Sequence, residues 1–546
     1  MIYMTTLLIS LFITVSLIPI FRRVALRLQA VDVPNERKVH TLPTPKSGGL
    51  AMAVGTLAPM FLWLHGDRFL FSLMCGALIL VVFGLLDDFK DVPYWVKFIG
   101  QVIASLWVIG YGGLEIRSLG GLLPDGVMLP EWVGIPLTLI AIVGVTNAIN
   151  LSDGLDGLAG GITLLSFLLI GYLAYRVEYG IVALLCCAVM GAIFGFLRFN
   201  SFPATLFMGD AGSQLLGFLA ITLSLHITQA SAPLSPLLPL IILGFPVLDT
   251  LTVMAERIAE GHSPFSPDKK HFHHRLLRLG LFHTEAVVVI YFVQGFLVTA
   301  GYVLRYYSEW FLLLFYLVFS ALVLGGFLLA DRMGWQVKRF EIVDLIIKGK
   351  LRVLKDKHVA IRASFFALRV GLPLLFLASC MLPVDIPLYL SAGAFLVALC
   401  LFVATWLRQS WLYWILRTCF FLIAPFVVYL EHKGLEAWPA ENVRTLYVLC
   451  FGALAVVSIL TLKFTRRTKG FRPSPMDFLI LIIALIVPNL PEPLGGRHLG
   501  LMAVQIIVFF FSFEVLLGEL RGAYRWPALT IGGALLLLGI RGAFLA

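Results

Sequence analysis

Apolar runs of bilayer length recur along this chain from its first residues to its last. That recurrence restricts it to a bundle of helices in a membrane. Crossing the hydrocarbon core takes about 20 apolar residues in helical form, and inside lipid each segment must satisfy its own backbone polar groups. Of the 546 residues, 60% are hydrophobic and 13% charged, a balance foreign to soluble domains. Eleven spans are expected before residue 330, near 4–20, 48–64, 69–86, 95–112, 133–149, 161–176, 181–197, 212–229, 236–256, 286–305 and 310–330. About seven more follow, near 363–383, 387–406, 411–430, 444–463, 476–492, 499–518 and 527–545. The expected fold class is all-α integral membrane, a polytopic helical bundle. Its expected domains are 1–330, a basic amphipathic linker 331–362, and a second membrane domain 363–546.

The net charge of +10 matters through its placement. The run Thr5 to Ile20 has no basic residue before it and Arg22 and Arg23 after it, the reverse of a secretory signal. It reads as a retained first span with its N-terminus outside. Segments 21–47, 87–97, 198–211, 256–283 and 331–362 then fall in the cytoplasm and hold most of the Lys and Arg. The outer loops hold few, among them Arg68, Arg117, Arg176 and Arg305. The charge therefore reports topology and not nucleic-acid binding. The seven Cys sit in or beside apolar runs, with neither metal-ligand nor disulfide spacing, and read as small core residues.

All five chemically loaded stretches fall on the cytoplasmic side. The densest is Asn147 to Gly161, NAINLSDGLDGLAGG. It sets Asn147, Asn150, Asp153 and Asp156 at a spacing of three. On an ideal helix each such step falls about 60° short of a turn, so Asn147 and Asp156 would end on opposite faces. Gly154 and Gly157 let the helix open into a loop that turns the polar groups toward one pocket. A plain polar turn would need fewer of them, and acids at a span's edge are costly. Asp87, Asp88 and Asp91 form a DDxxD directly after the third span, with Lys97 and Gln101 beyond. Such acids suit a Mg²⁺ that also takes phosphate oxygens and waters. Asp210, between glycines as the eighth span begins, reads equally as a metal ligand or an N-cap. Asn200 opens that stretch. Pro34 to His40, followed by Pro45 to Gly49, offers basic groups for phosphate or ordinary positive-inside charge. The last loop carries Arg257, Asp268, His271, His273 and His274. Its HxHH spacing is unlike the wider helical spacing of zinc enzymes. A hydrogen-bonding clamp for a diphosphate fits as well.

These motifs, PNERKVH, DDFKD, NAINLSDGLDGLA, FMGDAGS and HFHHR, resemble in order and spacing the prokaryotic polyprenyl-phosphate N-acetylhexosamine-1-phosphate transferases. The resemblance covers about residues 1–330. The DDxxD ending in Asp91 and the HFHHRL loop look like the WecA/TagO branch of that superfamily and unlike its MraY branch. The resemblance implies that the phosphate of undecaprenyl phosphate attacks the β-phosphate of a UDP-N-acetylaminosugar, most simply UDP-GlcNAc, releasing UMP. It implies Asp87, Asp88 and Asp153 as catalytic acids and Asp210 and Asp88 as ligands of Mg²⁺, with Mn²⁺ as the substitute. It implies Asn147, Asn150, Asp156, Asn200, Lys97, Arg257, His271, His273 and His274 as substrate-binding. One-step attack and a covalent intermediate both remain open. The implied setting is the bacterial plasma membrane, with membrane lipids around the bundle and the active site on its cytoplasmic face. Homodimerisation and a protein partner for the C-terminal domain are compatible with it. UDP-FucNAc and UDP-QuiNAc are alternative donors, and a polytopic transporter is the rival class, since transporters also use mid-chain acids and Gly-broken helices.

The 331–362 stretch carries nine Lys and Arg among apolar residues and reads as either an interfacial segment or a charged linker. Within the later spans lie Arg369, Arg417 and Glu514. They are expected either to snorkel to the interface or to form one Arg/Glu cluster.

Overall fold

In the computed structural model of the chain, residues 2–32, 43–63, 67–90, 92–124, 127–230, 233–263, 270–337, 359–406, 409–436, 441–464, 479, 499–520 and 522–545 are described. Met1–Val337 with Ser474–Ile482 forms one compact unit, and Lys338–Pro473 with Ile483–Ala546 a second. The chain is a multi-pass membrane protein. Among the described residues, eleven helices are long and apolar enough to cross a membrane, and four shorter apolar ones accompany them.

The first unit runs α1 (Ile2–Arg27), α2 (Gly48–Trp63), α3 (Arg68–Lys90), α4 (Tyr94–Gly110), α5 (Glu131–Leu151), α6 (Leu158–Arg176), α7 (Gly180–Asn200) and α8 (Gly209–Ala230). Then come α9 (Leu238–Ile242), α10 (Gly244–Ala259), the short α11 (Phe272–Arg278), α12 (His283–Val303) and α13 (Glu309–Arg332). A two-residue antiparallel pair, β1 (Val31–Asp32) with β2 (Thr44–Pro45), clips the loop after α1. α8 is the axis of the unit. It is buried nearly all round and touches α2, α3, α5, α6 and α9. α1 and α13 bury only one narrow face each, as helices at the lipid boundary do. Small residues allow the close approaches that membrane helices rely on. A Cβ on Gly84 would stand 2.4 Å from Cα of Ala211, so only glycine there lets α3 deliver Asp87 and Asp88 to the start of α8.

The expected ninth span, 236–256, is not one helix. α9 ends at Ile242, and Leu243 (φ −107°, ψ 18°) joins it to α10. The cause is Pro246, whose ring would strike the carbonyl four residues back, that of Ile242. The freed carbonyl is not left bare. It accepts from Gln294 Nε2 at 2.8 Å and from Ser166 Oγ at 3.1 Å, as a broken helix in lipid requires. α10 thereby starts afresh, and carries Asp249 and Arg257 toward the site.

The second unit contains α14 (Val359–Met381), α15 (Leu388–Ala404), α16 (Gln409–Glu436), α17 (Glu441–Phe464), α18 (Leu499–Leu520) and α19 (Arg525–Leu545). Its core is aromatic. Phe420 stacks on Phe513 at 4.0 Å and Phe421 on Phe510 at 4.3 Å, with Phe376 and Phe451 packed edgewise on Phe509. Of Arg369, Arg417 and Glu514, Arg417 pairs with Glu514 across α16 and α18. Arg369 does not join them. Its guanidinium lies over the Trp526 ring, 5.1 Å from the centroid, which satisfies a cation without a carboxylate. All seven Cys are free thiols. The expected span near 476–492 lies outside the described residues apart from Leu479, as does the linker apart from its ends.

Candidate active site

The motif-bearing helix ends of the first unit meet at one end of the bundle. α3, α5, α7 and α10 finish there, and α2, α4, α6, α8 and α12 begin there. At its centre, Lys97 Nζ lies 2.7 Å from Asp87 Oδ2 and 2.5 Å from Asp210 Oδ2. One ammonium thus joins α3, α4 and α8. Asp210 is also held by Asn150, whose Nδ2 donates to Asp210 Oδ1 at 3.1 Å and to Ser213 Oγ at 2.8 Å.

Asp88 faces another way. Its two oxygens accept the backbone N–H groups of Asp210 (2.9 Å) and Ala211 (3.2 Å). It is therefore the N-cap of α8, supplied from α3 and not by the chain preceding that helix, and it meets the positive end of the helix dipole. Gly209, at φ 69°, makes the tight entry, where a Cβ would collide with the Asp88 carboxylate. The backbone of β2 and its neighbours completes the cradle. Gly48 and Gly49 N–H donate to the carbonyls of Phe207 and Met208 at 2.9 and 2.8 Å.

Beneath this centre lies a buried amide lattice. Asn147 Nδ2 donates to Gln101 Oε1 at 2.7 Å, and Gln101 Nε2 donates to Asn147 Oδ1 and Gln214 Oε1, both at 3.2 Å. Asn147 is thus tied into α4 and α8. Asn200 is likewise occupied, accepting from Gly157 N–H at 2.8 Å and donating to the Leu206 carbonyl at 2.9 Å. It clamps the loop after α5 to the loop after α7.

The loop itself places Asp153 and Asp156 between the carboxylate centre and the His residues. Burial pushes the Asp153 carboxyl up to about 7, and the charges of Asp210, Asp156, Asp88 and Asp32 push the same way. Asp156 Oδ2 accepts the Ala204 N–H at 2.9 Å. The His273 ring lies against Cα of Gly154, where a Cβ would come within 2.3 Å of its Nε2. Burial, then the neighbouring His274, His271 and His283, hold His273 well below its ordinary range, so it is a neutral hydrogen-bonding ring at pH 7. His271 Nδ1 donates to Asp249 Oδ2 at 2.9 Å, and Asp249 Oδ1 accepts the Phe272 N–H at 2.8 Å. That fixes the tautomer and leaves Nε2 as the ring's free nitrogen. His274 tilts against His273 at 4.2 Å, and Arg257 is buried at the end of α10.

Among the described residues, no three His, Cys, Asp or Glu converge as an all-protein metal cage. Two carboxylates, Asp87 and Asp210, do converge on a cation, with the Lys97 ammonium standing at that point. Mg²⁺ is commonly held by one or two carboxylates and completes its octahedron with phosphate and water. This donor set fits it. Pro34 to His40, Asp91 and Asp268 lie outside the described residues.

Reading the motifs alone misses Asp249, His283, Gln214 and Tyr291. Tyr291, fully buried, donates its hydroxyl to the Gly157 carbonyl at 2.7 Å and supports the Asp153–Asp156 loop from below. The signal was present. Each is a polar group in or beside an apolar helix, where such residues need a reason.

A family model described as glycosyl transferase family 4 matches residues 70–228. The chain is 33% identical over 365 residues to the undecaprenyl-phosphate alpha-N-acetylglucosaminyl 1-phosphate transferase of Yersinia pestis, covering 98% of it and 65% of this chain. It is 34% identical over 350 residues to the protein of that name from Escherichia coli K12, covering 93% of it and 62% of this chain. The decaprenyl-phosphate N-acetylglucosaminephosphotransferase of Mycobacterium leprae is 36% identical over 305 residues, 75% of its length and 49% of this chain.

Proposed function

The chain belongs to glycosyl transferase family 4, among its polyprenyl-phosphate N-acetylglucosaminyl 1-phosphate transferases, and from that premise we propose how its own residues carry out the reaction. It transfers N-acetylglucosamine 1-phosphate to undecaprenyl phosphate. The donor is UDP-GlcNAc and the released product is UMP. The observation that carries this reading is the Asp87–Lys97–Asp210 centre at the membrane end where the described motif residues meet.

Electrostatics sets the requirements. Both substrates are polyanions, and the centre holds three carboxylates, Asp87, Asp88 and Asp210, against one ammonium. Extra positive charge is needed before two phosphates can approach. Asp87 and Asp210 would hold Mg²⁺, which when bound neutralises phosphate oxygens and stabilises charge moving onto the leaving group. Until Mg²⁺ binds, Lys97 keeps the two carboxylates from repelling each other, and once displaced from them its ammonium is free to meet phosphate. Asp87 orients the lipid phosphate and takes up a proton from it on a carboxylate oxygen. Asp88 holds α8, and with it Asp210, in register. Asp153 and Asp156 face the nucleotide. His271, through Nε2, and neutral His273 donate or accept hydrogen bonds along the diphosphate–sugar part, with Arg257 supplying charge.

We place this end at the cytoplasmic face. Arg22, Arg23, Arg27, Lys90, Arg198 and Arg257 sit on its helix ends, whereas the opposite end carries Arg68, Arg117, Arg176 and Arg305, a positive-inside distribution. The test is UMP release by purified protein with undecaprenyl phosphate, Mg²⁺ and a panel of UDP-sugars. Release with UDP-GlcNAc, dependent on lipid phosphate and lost in Asp87→Asn and Asp210→Asn, is the expected result. Release with no sugar from folded protein would overturn the reading.

A further inference from the structure

We propose that His283 is a positioning residue of the sugar-nucleotide site, holding Asp156 in place and presenting a buried N–H to an acceptor oxygen of the nucleotide. The inference rests on the reading above that sets the nucleotide beside Asp156.

His283 belongs to none of the five motifs. It is the first residue of α12, and its side chain is only 10% exposed. Its Nε2 accepts the backbone N–H of Asp156 at 3.2 Å and lies 4.0 Å from Asp156 Oδ1. Its ring stacks on Phe202 at 4.5 Å between centroids, 26° from parallel. One imidazole therefore touches the loop after α5, the loop after α7 and the start of α12. The Asp156 carboxylate spans the same two loops through the Ala204 N–H. Tyr291, about two turns further along α12, holds Gly157. α12 thus fixes this loop twice, once at its polar rim and once in its apolar floor.

The tautomer follows from the bond at Nε2. A nitrogen that accepts carries no proton, so a neutral His283 has its proton on Nδ1. That Nδ1 is buried and finds no hydrogen-bond partner among the described residues. A buried donor left unpaired is destabilising, and native structures rarely tolerate one without reason. A ligand acceptor removes the penalty when it binds. An unpartnered donor beside a placed carboxylate suits a nucleotide, which is rich in acceptors and carries ribose and uracil donors for Asp156.

The experiment compares wild type, His283→Ala and His283→Gln as full-length protein in detergent. Binding of UDP-GlcNAc is followed by calorimetry, turnover by UMP release, and folding by thermal melting. Alanine is expected to weaken UDP-GlcNAc binding and raise its KM about tenfold, the equivalent of about 1.4 kcal/mol. kcat and the KM for undecaprenyl phosphate stay within about twofold. Glutamine, whose Oε1 can accept from the Asp156 N–H, recovers part of the loss. A purely structural role would instead lower melting temperature, kcat and both KM-dependent rates together, and that pattern overturns the proposal. So does UDP-GlcNAc binding by both variants at wild-type affinity while wild type releases UMP, an outcome that leaves the transferase reading intact. Wild-type protein that neither binds UDP-GlcNAc nor releases UMP defeats the transferase reading and this inference with it.

Discussion

Replacing Lys97 with Met removes the cation between Asp87 and Asp210 while keeping most of the side chain's volume. Both carboxylate oxygens touch the same ammonium, at 2.7 and 2.5 Å, so they lie within about 5 Å of each other. At an effective dielectric constant of about 20, two like charges at that distance repel by about 3 kcal/mol. Breaking a buried pair by deleting one partner costs about 3–5 kcal/mol. Lys97 keeps 28% of its side chain exposed, so the lower figure applies. The uncovered oxygens then become a better divalent site than in the wild type, where the ammonium competes for them. Thermal melting of the two proteins in chelator and across a Mg²⁺ titration reads both effects. Lys97→Met should melt well below wild type in chelator. It should climb with Mg²⁺, gaining about 2.7 kcal/mol at a hundred times the dissociation constant, while substrate-free wild type responds little. UMP release should fall by about a hundredfold or more, the scale of losing one preorganised charge-stabilising group. A variant that melts like wild type in chelator and ignores Mg²⁺ would refute the idea that Lys97 stands in the cation position.

Three further outcomes follow from the geometry. Asp88→Ala removes the cap of α8 and should cost about 1 kcal/mol in stability with a fall in kcat, and Asp88→Asn, keeping one acceptor oxygen, should cost less in both. The Asp153 carboxyl, pushed up to about 7 from an ordinary value near 4, keeps a proton in the folded chain that the unfolded chain has lost. Its contribution is therefore complete below pH 4 and is lost as pH rises toward 7. Asp153→Asn should flatten that part of the stability profile, read by thermal melting across about pH 4 to 7. In the second unit, Arg417→Leu and Glu514→Leu should each destabilise by about 3–5 kcal/mol, and the double variant by much less. Equal and additive losses in denaturation would show that the pair is not coupled.

The helices were legible because membrane spans are set by local apolar length: α2 to α8 begin and end within about four residues of expectation, while α1 runs on past the expected end at 20 to Arg27. Asp87, Asp210 and Asn150 were legible because each sits in its own short motif. What they touch was not. Asp88 looked like a metal ligand beside Asp87, yet a cap is defined by the helix it serves, and that helix begins 121 residues later. Asn147 shares the spacing of Asn150, but one helical turn deeper its partners are the amides of α4, not a pocket. The break in the ninth span was written in Pro246, overshadowed by the apolar run around it. His283 and Asp249 belong to no motif and are marked only as polar groups in apolar helices. Only the convergence of helix ends from distant parts of the chain gives them a role.

That convergence bears on how the protein is made. Ribosomal synthesis inserts these helices in order, and Asp88 emerges long before the backbone amides of Asp210 and Ala211 that satisfy it. Asp87 waits only until α4 brings Lys97, so the α3–α4 pair can neutralise one charge early. The second acid stays uncompensated at a helix end until α8 slots between helices already in place. The loop of Asp153 and Asp156 waits longer still, for His283 and Tyr291 on α12. A nascent chain halted before α12 would therefore hold Asp87, Lys97, Asp88 and Asp210 together while the Asp153–Asp156 loop still lacked the contacts of His283 and Tyr291, and the arrival of α12 completes them.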